Sequence, residues 1–253
     1  MIKSFYKKIF SEKIRLNIRI YLNRFFSFFY MGKNYYCVCC GKSFRIFKTK
    51  GYLKRENAEC PYCMSLERVR LLSYYLSNEL NVEKYAGTKV LHFAPEKCLF
   101  DKFKNLDIEY VDADINPAYA RHVVDITNIP FDDDYFQLII CSHVLGHIPD
   151  ERKAINELYR VLKPGGIALI LSLVDLNRDK TYENTMYTTK NDRLKHYGEP
   201  DLCRLHGIDI KERLTAGGFK VEAIDYRKYF SENEQTKFSL GNGEREIIYS
   251  CTK

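Results

Sequence analysis

The 253-residue chain contains no uncharged apolar run of about 18 residues, the minimum for a membrane-spanning helix. Its longest uncharged amino-terminal stretch, Phe25–Gly32, is short, and no small-residue cleavage site follows it, which argues against a secretory signal. Internal repeats and low-complexity tracts are absent. Acidic charge is nearly absent from residues 1–36, where Glu12 alone stands against Lys3, Lys7, Lys8, Lys13, Arg15, Arg19, Arg24 and Lys33. That segment carries the whole formal charge of +7, and residues 37–253 sum to zero. A neutral body argues against a broad nucleic-acid-binding surface there. Cysteine, in contrast, is plentiful. Nine cysteines without an export signal point to a reducing, cytoplasmic setting, where clustered thiols hold metal more often than they form disulfides.

Residues 1–36 predict a basic amphipathic leader helix. Ile14, Ile18, Tyr21, Leu22, Phe25 and Phe29 share one face at helical spacing. Arg15, Arg19, Asn23 and Arg24 lie opposite, interrupted by Leu16, Ile20 and Phe26. Such a helix suits an anionic membrane surface, which would place the protein peripherally on the inner face of the membrane. Packing against the protein itself or a partner is the alternative, with RNA third. Residues 37–64 hold two C-x2-C pairs, Cys37/Cys40 and Cys60/Cys63, with Gly41 and Pro61 as turn formers. The spacing predicts a zinc ribbon whose four thiolates leave no open position, so the Zn2+ is structural. A short strand-like stretch, Ser43–Lys48, lies between the pairs. The module reads as too small for an apolar core of its own, so metal binding supplies its folding energy. Residues 65–88 predict a linker helix, with Ser65 as N-cap and Leu66, Val69, Leu72, Tyr75, Leu76 and Leu80 at helical spacing.

Residues 89–253 predict an α/β domain. Its most informative stretch is 136–173: a buried strand (Leu138–Cys141), a polar loop (Ser142–Asp150), a helix (Glu151–Leu162), a Pro-Gly-Gly turn and a second buried strand (Ile167–Leu173). This is a crossover unit of a parallel sheet, and its loop faces a site at the carboxyl ends of the strands. The pieces DIxxxPFxxxxFxLI from Asp125, HVLxHIP from His143 and LKPGG from Leu162 together resemble class I S-adenosylmethionine (SAM)-dependent methyltransferases, especially the quinone-biosynthesis-like branch. The resemblance runs from roughly Lys89 to Lys253. It implies a Rossmann-like, seven-stranded, mostly parallel sheet ending in an antiparallel hairpin, here Val221–Tyr226 and Glu246–Cys251, with SAM as cofactor.

The same resemblance implies the cofactor residues. The family's glycine-rich first turn falls on VLHFAPE. There Phe93 ends the strand, His92 replaces an acid, Ala94 replaces the first glycine, and Glu96 replaces the second and meets the cofactor's positive charge. Asp114, followed by Ile115, is the expected ribose ligand, with Asp112 as runner-up. A short strand, Val123–Ile126, brings Asp125 and Ile126 to the adenine side. Ser142 and His143 line the floor. His143 and His147 are four residues apart, but Val144 stands where HExxH needs glutamate, which excludes a metalloprotease. His147 reads as a packed loop histidine.

The polar stretch Asp175–Leu205 predicts a lid, from which Tyr182, Glu183, Tyr197 and Arg204 are substrate candidates. His143, His196 and His206 are candidate bases. Each lid residue also fits a packing role. Asp209 is expected to cap a helix over Ile210–Ala216, and Arg227–Arg245 to form an exposed polar loop. The expected function is methyl transfer from SAM to an oxygen or nitrogen, the acceptor being a small molecule or a membrane-associated glycan such as a lipid-linked saccharide. A ribosomal-RNA methyltransferase with an amino-terminal zinc module is one alternative. A degenerate, non-catalytic binding module is the other.

Overall fold

The structure, a computed structural model, describes residues 10–253, so Lys3, Lys7 and Lys8 of the leader lie outside the described residues. The leader helix α1 (Glu12–Phe26) starts where the Ser11 hydroxyl accepts a hydrogen bond from Ile14 N. It ends in a single 3-10 turn, Ser27–Tyr30. The leader is thus shorter than expected, because residues 31–36 belong to the ribbon. Strand β1 (Met31–Cys37) pairs antiparallel with β2 (Lys42–Phe44), and β3 (Lys48–Lys50) pairs with β4 (Arg55–Glu59). The expected single strand Ser43–Lys48 is therefore split between two hairpins. Phe44 and Phe47 are buried with Cys37 and Cys60, so the ribbon does have a small apolar core.

Helix α2 (Glu67–Asn78) joins the ribbon to the α/β domain. Leu66 precedes its first turn with no side-chain cap, and the Ser65 hydroxyl turns instead to the thiols, 3.2 Å from both Cys37 and Cys63 Sγ. The domain continues with β5 (Lys89–Phe93), α3 (Lys97–Phe103), β6 (Glu109–Asp114), β7 (His122–Val123), β8 (Phe136–Ser142), α4 (Glu151–Val161) and β9 (Leu162–Leu171). A lid segment follows with β10 (Tyr182–Glu183), α5 (Lys190–Tyr197) and β11 (Arg204–Leu205). The chain closes with α6 (Ile210–Ala216), β12 (Lys220–Ile224), α7 (Glu232–Phe238) and β13 (Ile248–Thr252).

The sheet has seven strands in the order β12-β13-β9-β8-β5-β6-β7, parallel except that β13 runs antiparallel to both neighbours. This is the Rossmann-like, mostly parallel α/β architecture with a carboxyl-terminal antiparallel pair. Alternation along the strands builds two cores. Leu91, Phe93, Ile139 and Cys141 face α4 and α6 through Ile155, Leu158 and Leu214. Val90, Leu138, Ile140 and Leu169 face α2 and α3 through Leu72, Leu76, Leu99 and Phe103. The Pro-Gly-Gly turn is a bulge inside β9, where the register jumps from Phe136↔Leu162 to Leu138↔Ile167. The third short strand is only His122–Val123; Asp125 lies beyond it, in an isolated bridge to Asn128.

Two connections depart from expectation. Adjacent parallel strands usually need a crossover of a dozen or more residues, yet β6 and β7 are joined by residues 115–121 alone. Helix α1 packs on that loop from outside: Glu12 accepts from Asn116 Nδ2 at 3.0 Å and from the Tyr119 hydroxyl at 2.8 Å. It also touches the ribbon through Arg19–Glu59 at 2.9 Å. Secondly, Arg227–Arg245 is no exposed loop. It contains α7, opened by a Ser231/Glu234 capping box, and it buries Leu240. Phe238 packs on Tyr36 and Tyr74, tying this segment to the ribbon and α2. Arg70, fully buried, completes the joint by donating to the carbonyls of Ala58, Ser65, Phe238 and Ser239.

Candidate cofactor site and thiolate cluster

The sulfurs of Cys37, Cys40, Cys60 and Cys63 all lie within 4.8 Å of one another. Each pair sits on a tight turn; Met64 N, for example, donates to Cys60 O and Gly41 N to Cys37 O. Cys39 stays outside the set, and its sulfur approaches the Val69 carbonyl at 3.9 Å. Hydrogen bonds from Cys39 and Cys40 hold the Cys37 thiol far below its ordinary value, and the contact with Cys37 pushes Cys60 far above it. Without a cation the four sulfurs cannot all ionise. The donor set fits a four-thiolate metal.

At the carboxyl edge of β5 the chain turns sharply. Ala94 adopts a left-handed φ of 49°, a conformation glycine takes without cost. Glu96 opens α3 and is held from behind. His92, fully buried, has Nε2 3.0 Å from Glu96 Oε2 and Nδ1 2.7 Å from the Tyr110 hydroxyl. Arg68 approaches Glu96 at 4.0 Å. Burial disfavours the Glu96 anion, but the His92 bond and the Arg68 charge outweigh it, so its pKa falls below the ordinary carboxylate value. The role of His92, unexplained by the sequence resemblance, is to orient Glu96.

Glu96 borders a cavity of about 360 Å³. Its walls are α1 (Leu16, Ile20), the ribbon exit (Met64), Arg68 and the 117–121 loop. Of the other expected cofactor residues, only the runner-up Asp112 lines this cavity. Asp114 is half-buried at the end of β6; one of its oxygens accepts from Asn116 N, and burial raises its pKa. Asp112, the runner-up, is instead committed to Arg121 at 2.6 Å. Asp125 is exposed and caps its own turn, accepting from Thr127 N and Oγ1. Ile126 and Phe93 are buried in the core, and Ile115 points to solvent. An apolar partner for adenine is therefore not supplied by Ile126, because its side chain is buried in the core beyond the end of β7. Ser142 is buried with its hydroxyl unpartnered. His143 has a left-handed φ of 56°, and its Nε2 donates to the Arg245 carbonyl at 3.0 Å, which leaves Nδ1 as the unprotonated nitrogen. Burial, reinforced by the Arg68 charge, holds His143 well below the ordinary imidazole value.

The lid residues are mostly spent on structure. Arg204 donates to the carbonyls of Leu145, Ile148 and Pro149 and to Glu183, so it has no free edge for a substrate anion. His206 is fully buried between the Ser172 hydroxyl (2.8 Å) and Glu151 Oε1 (2.5 Å), and Glu151 also binds Arg213 at 2.6 Å. A histidine locked in this way is a structural clamp and not a solvent-accessible base. Tyr197 is buried, its hydroxyl accepting from Asn184 N. His196 stacks on Tyr187 at 4.0 Å, beside Tyr182. His147, partly exposed, bonds the Asp201 carbonyl at 3.2 Å.

A model of a methyltransferase domain matches residues 99–170. Among curated relatives, the ubiquinone/menaquinone biosynthesis C-methyltransferase UbiE of Vibrio vulnificus is 49% identical over 43 residues, 17% of this chain and 16% of that protein. The 2-phytyl-1,4-naphtoquinone methyltransferase of Nostoc punctiforme is 42% identical over 55 residues, 22% of this chain and 24% of its own. The matches thus span at most about a quarter of these relatives' length. Among solved structures, the YcgJ protein of Bacillus subtilis aligns with a TM-score of 0.49 at 15% identity, over 72% of this chain and 99% of that one. The residues present fit SAM on three observations: the unpartnered Ser142 hydroxyl at the strand ends, the left-handed turn at Ala94, and the carboxylates of Glu96 and Asp114 at neighbouring strand ends. No helix of the described residues is long and apolar enough to cross a membrane.

Proposed function

We propose that this protein is a SAM-dependent methyltransferase acting on an oxygen or nitrogen of a membrane-associated glycan or lipid-linked saccharide, with a structural zinc in its ribbon. The match of residues 99–170 to a methyltransferase domain carries the reaction class. SAM, when bound, supplies an electrophilic methyl group. The chain supplies position and exclusion of water. Glu96, oriented by His92, and Asp114 hold the cofactor's ammonium and ribose; Ser142 completes the floor. His143 stands at the end of β8 with Nδ1 unprotonated, able to accept a proton from an acceptor hydroxyl as methyl arrives. Asp125 remains the candidate for the adenine amino group.

The membrane part of the reading is supported by the leader. Phe25, Phe28, Phe29 and Met31 are each more than half exposed, and Arg24 and Lys33 flank them. The name of the UbiE relative describes carbon methylation, over a segment too short to carry an acceptor assignment to this chain. The test is incubation of the protein with methyl-labelled SAM and fractionated lysate. Label in the lipid-extractable or glycan fraction is expected. Label in RNA instead overturns the acceptor class, and no label in any fraction overturns the activity.

A further inference from the structure

The cavity beside Glu96 is not built by the methyltransferase domain alone. Leu16 and Ile20 of α1 form one wall, and Met64 and Arg68 another, all of them outside residues 99–170. Leu16 and Ile20 are two of the three residues that interrupt the polar face of the leader, and this wall gives them a purpose. Arg68 stands out chemically. Its Nε is buried without a hydrogen-bond partner. Its nearest anion, Glu96, lies 4.0 Å away and is already bonded to His92. The other guanidinium on this wall, Arg121, is paired with Asp112. A buried donor with an unfilled valence, one step from a carboxylate, suits a zwitterion. The ligand's carboxylate meets the guanidinium and its ammonium meets Glu96.

We infer that the amino-acid end of SAM is held in this cavity, its carboxylate on Arg68 and its roof formed by α1, so that the leader and ribbon exit are parts of the cofactor site. The inference rests on the cofactor reading proposed above. It also explains how a turn with Ala94 and Glu96 in place of two glycines can serve the cofactor: the side chains restrict close backbone approach, and a guanidinium from another segment supplies the contact to the anion.

The test is calorimetric titration of the full-length, zinc-loaded protein with S-adenosylhomocysteine and with 5′-methylthioadenosine, which has the same nucleoside but no amino-acid end. The unaltered protein should bind both. Arg68→Met should weaken S-adenosylhomocysteine by about tenfold or more and leave methylthioadenosine within about twofold. Ile20→Trp, on the outer helix, fills the roof and should weaken S-adenosylhomocysteine similarly, at unchanged zinc content and thermal midpoint. Unchanged S-adenosylhomocysteine affinity in both variants, or a parallel loss for both ligands in Arg68→Met, overturns the inference while the cofactor reading stands. Failure of the unaltered protein to bind either ligand overturns the cofactor reading itself.

Discussion

Residues 10–53 and residues 54–253 dispose of apolar surface in opposite ways. Among the described residues, the first region leaves twelve large hydrophobic side chains exposed over 44 positions, and the second leaves seven over 200. The sheet domain buries its apolar residues by strand alternation between two helical layers. The amino-terminal region is held by sulfur, ion pairs and a few ring contacts, which leaves its apolar side chains facing outward. Monomeric proteins seldom tolerate a concentration of this kind without a use for it. One region is stabilised by what it hides, and the other is stabilised elsewhere and keeps its hydrophobic face available.

The strongest way to break this contrast is to remove the metal. Structural zinc contributes about 10–16 kcal/mol in small thiolate modules. Cys60→Ser, or exhaustive chelation, should abolish zinc content and strip hydrogen-exchange protection from residues 31–66, with β5, β8 and β9 still protected. If the ribbon amides stay protected without metal, the Phe44–Phe47 cluster holds the module and the contrast fails.

The next test lies in the sheet domain. Burial disfavours the Glu151 anion, but the His206 bond and the Arg204 and Arg213 charges hold its pKa near 2, below its ordinary 4.5. A carboxylate depressed on folding stabilises above its unfolded pKa. That stabilisation, about 3 kcal/mol, is lost as pH falls from about 4.5 towards 2. Glu151→Gln should remove this acid limb from the stability profile and cost about 3–5 kcal/mol at pH 7, since Arg213 and Arg204 lose their buried anion. Denaturant titrations at pH 7 and pH 3 check both. A variant with the unaltered protein's acid sensitivity would show the network to be idle.

The smallest effect on stability, and the sharpest on the surface, belongs to Phe28→Ser/Phe29→Ser. Unfolding free energy should move by no more than about 0.5 kcal/mol. Flotation with anionic vesicles should fall by about tenfold or more, each ring contributing about 1.5–3 kcal/mol when buried. Undiminished flotation, or none in the unaltered protein, would mean the exposed face serves something other than lipid.

The sheet was largely legible because its signals are local. Leu138–Cys141 and Ile167–Leu171 are uniformly apolar, and Asp150 caps its helix by accepting from Lys153 N. The thiolate set was legible from spacing alone. Less legible was whatever depends on distant partners. Arg204 and His206 look free in the sequence because their partners, Leu145–Pro149 and Glu151, lie more than fifty positions away. Ser65 has the form of an N-cap, but the adjacent thiols compete for its hydroxyl. Ile126 follows an acid in the right motif, yet its side chain packs into the core. The α7 helix, by contrast, could have been found: Ser231-x-x-Glu234 is a capping box, obscured by the surrounding polar composition. Arg68 and Arg70 carry no local signal at all.

Arg70 limits how portable the amino-terminal module is. Its guanidinium reaches a backbone carbonyl 169 positions away in the chain. A chimera that moved this ribbon onto another domain, or a fragment trimmed to the boundaries of sequence similarity, would leave that oxygen buried and unanswered. Shuffling the module between genes would have to carry both ends of the chain together, so ribbon and carboxyl terminus are expected to travel as one inheritance.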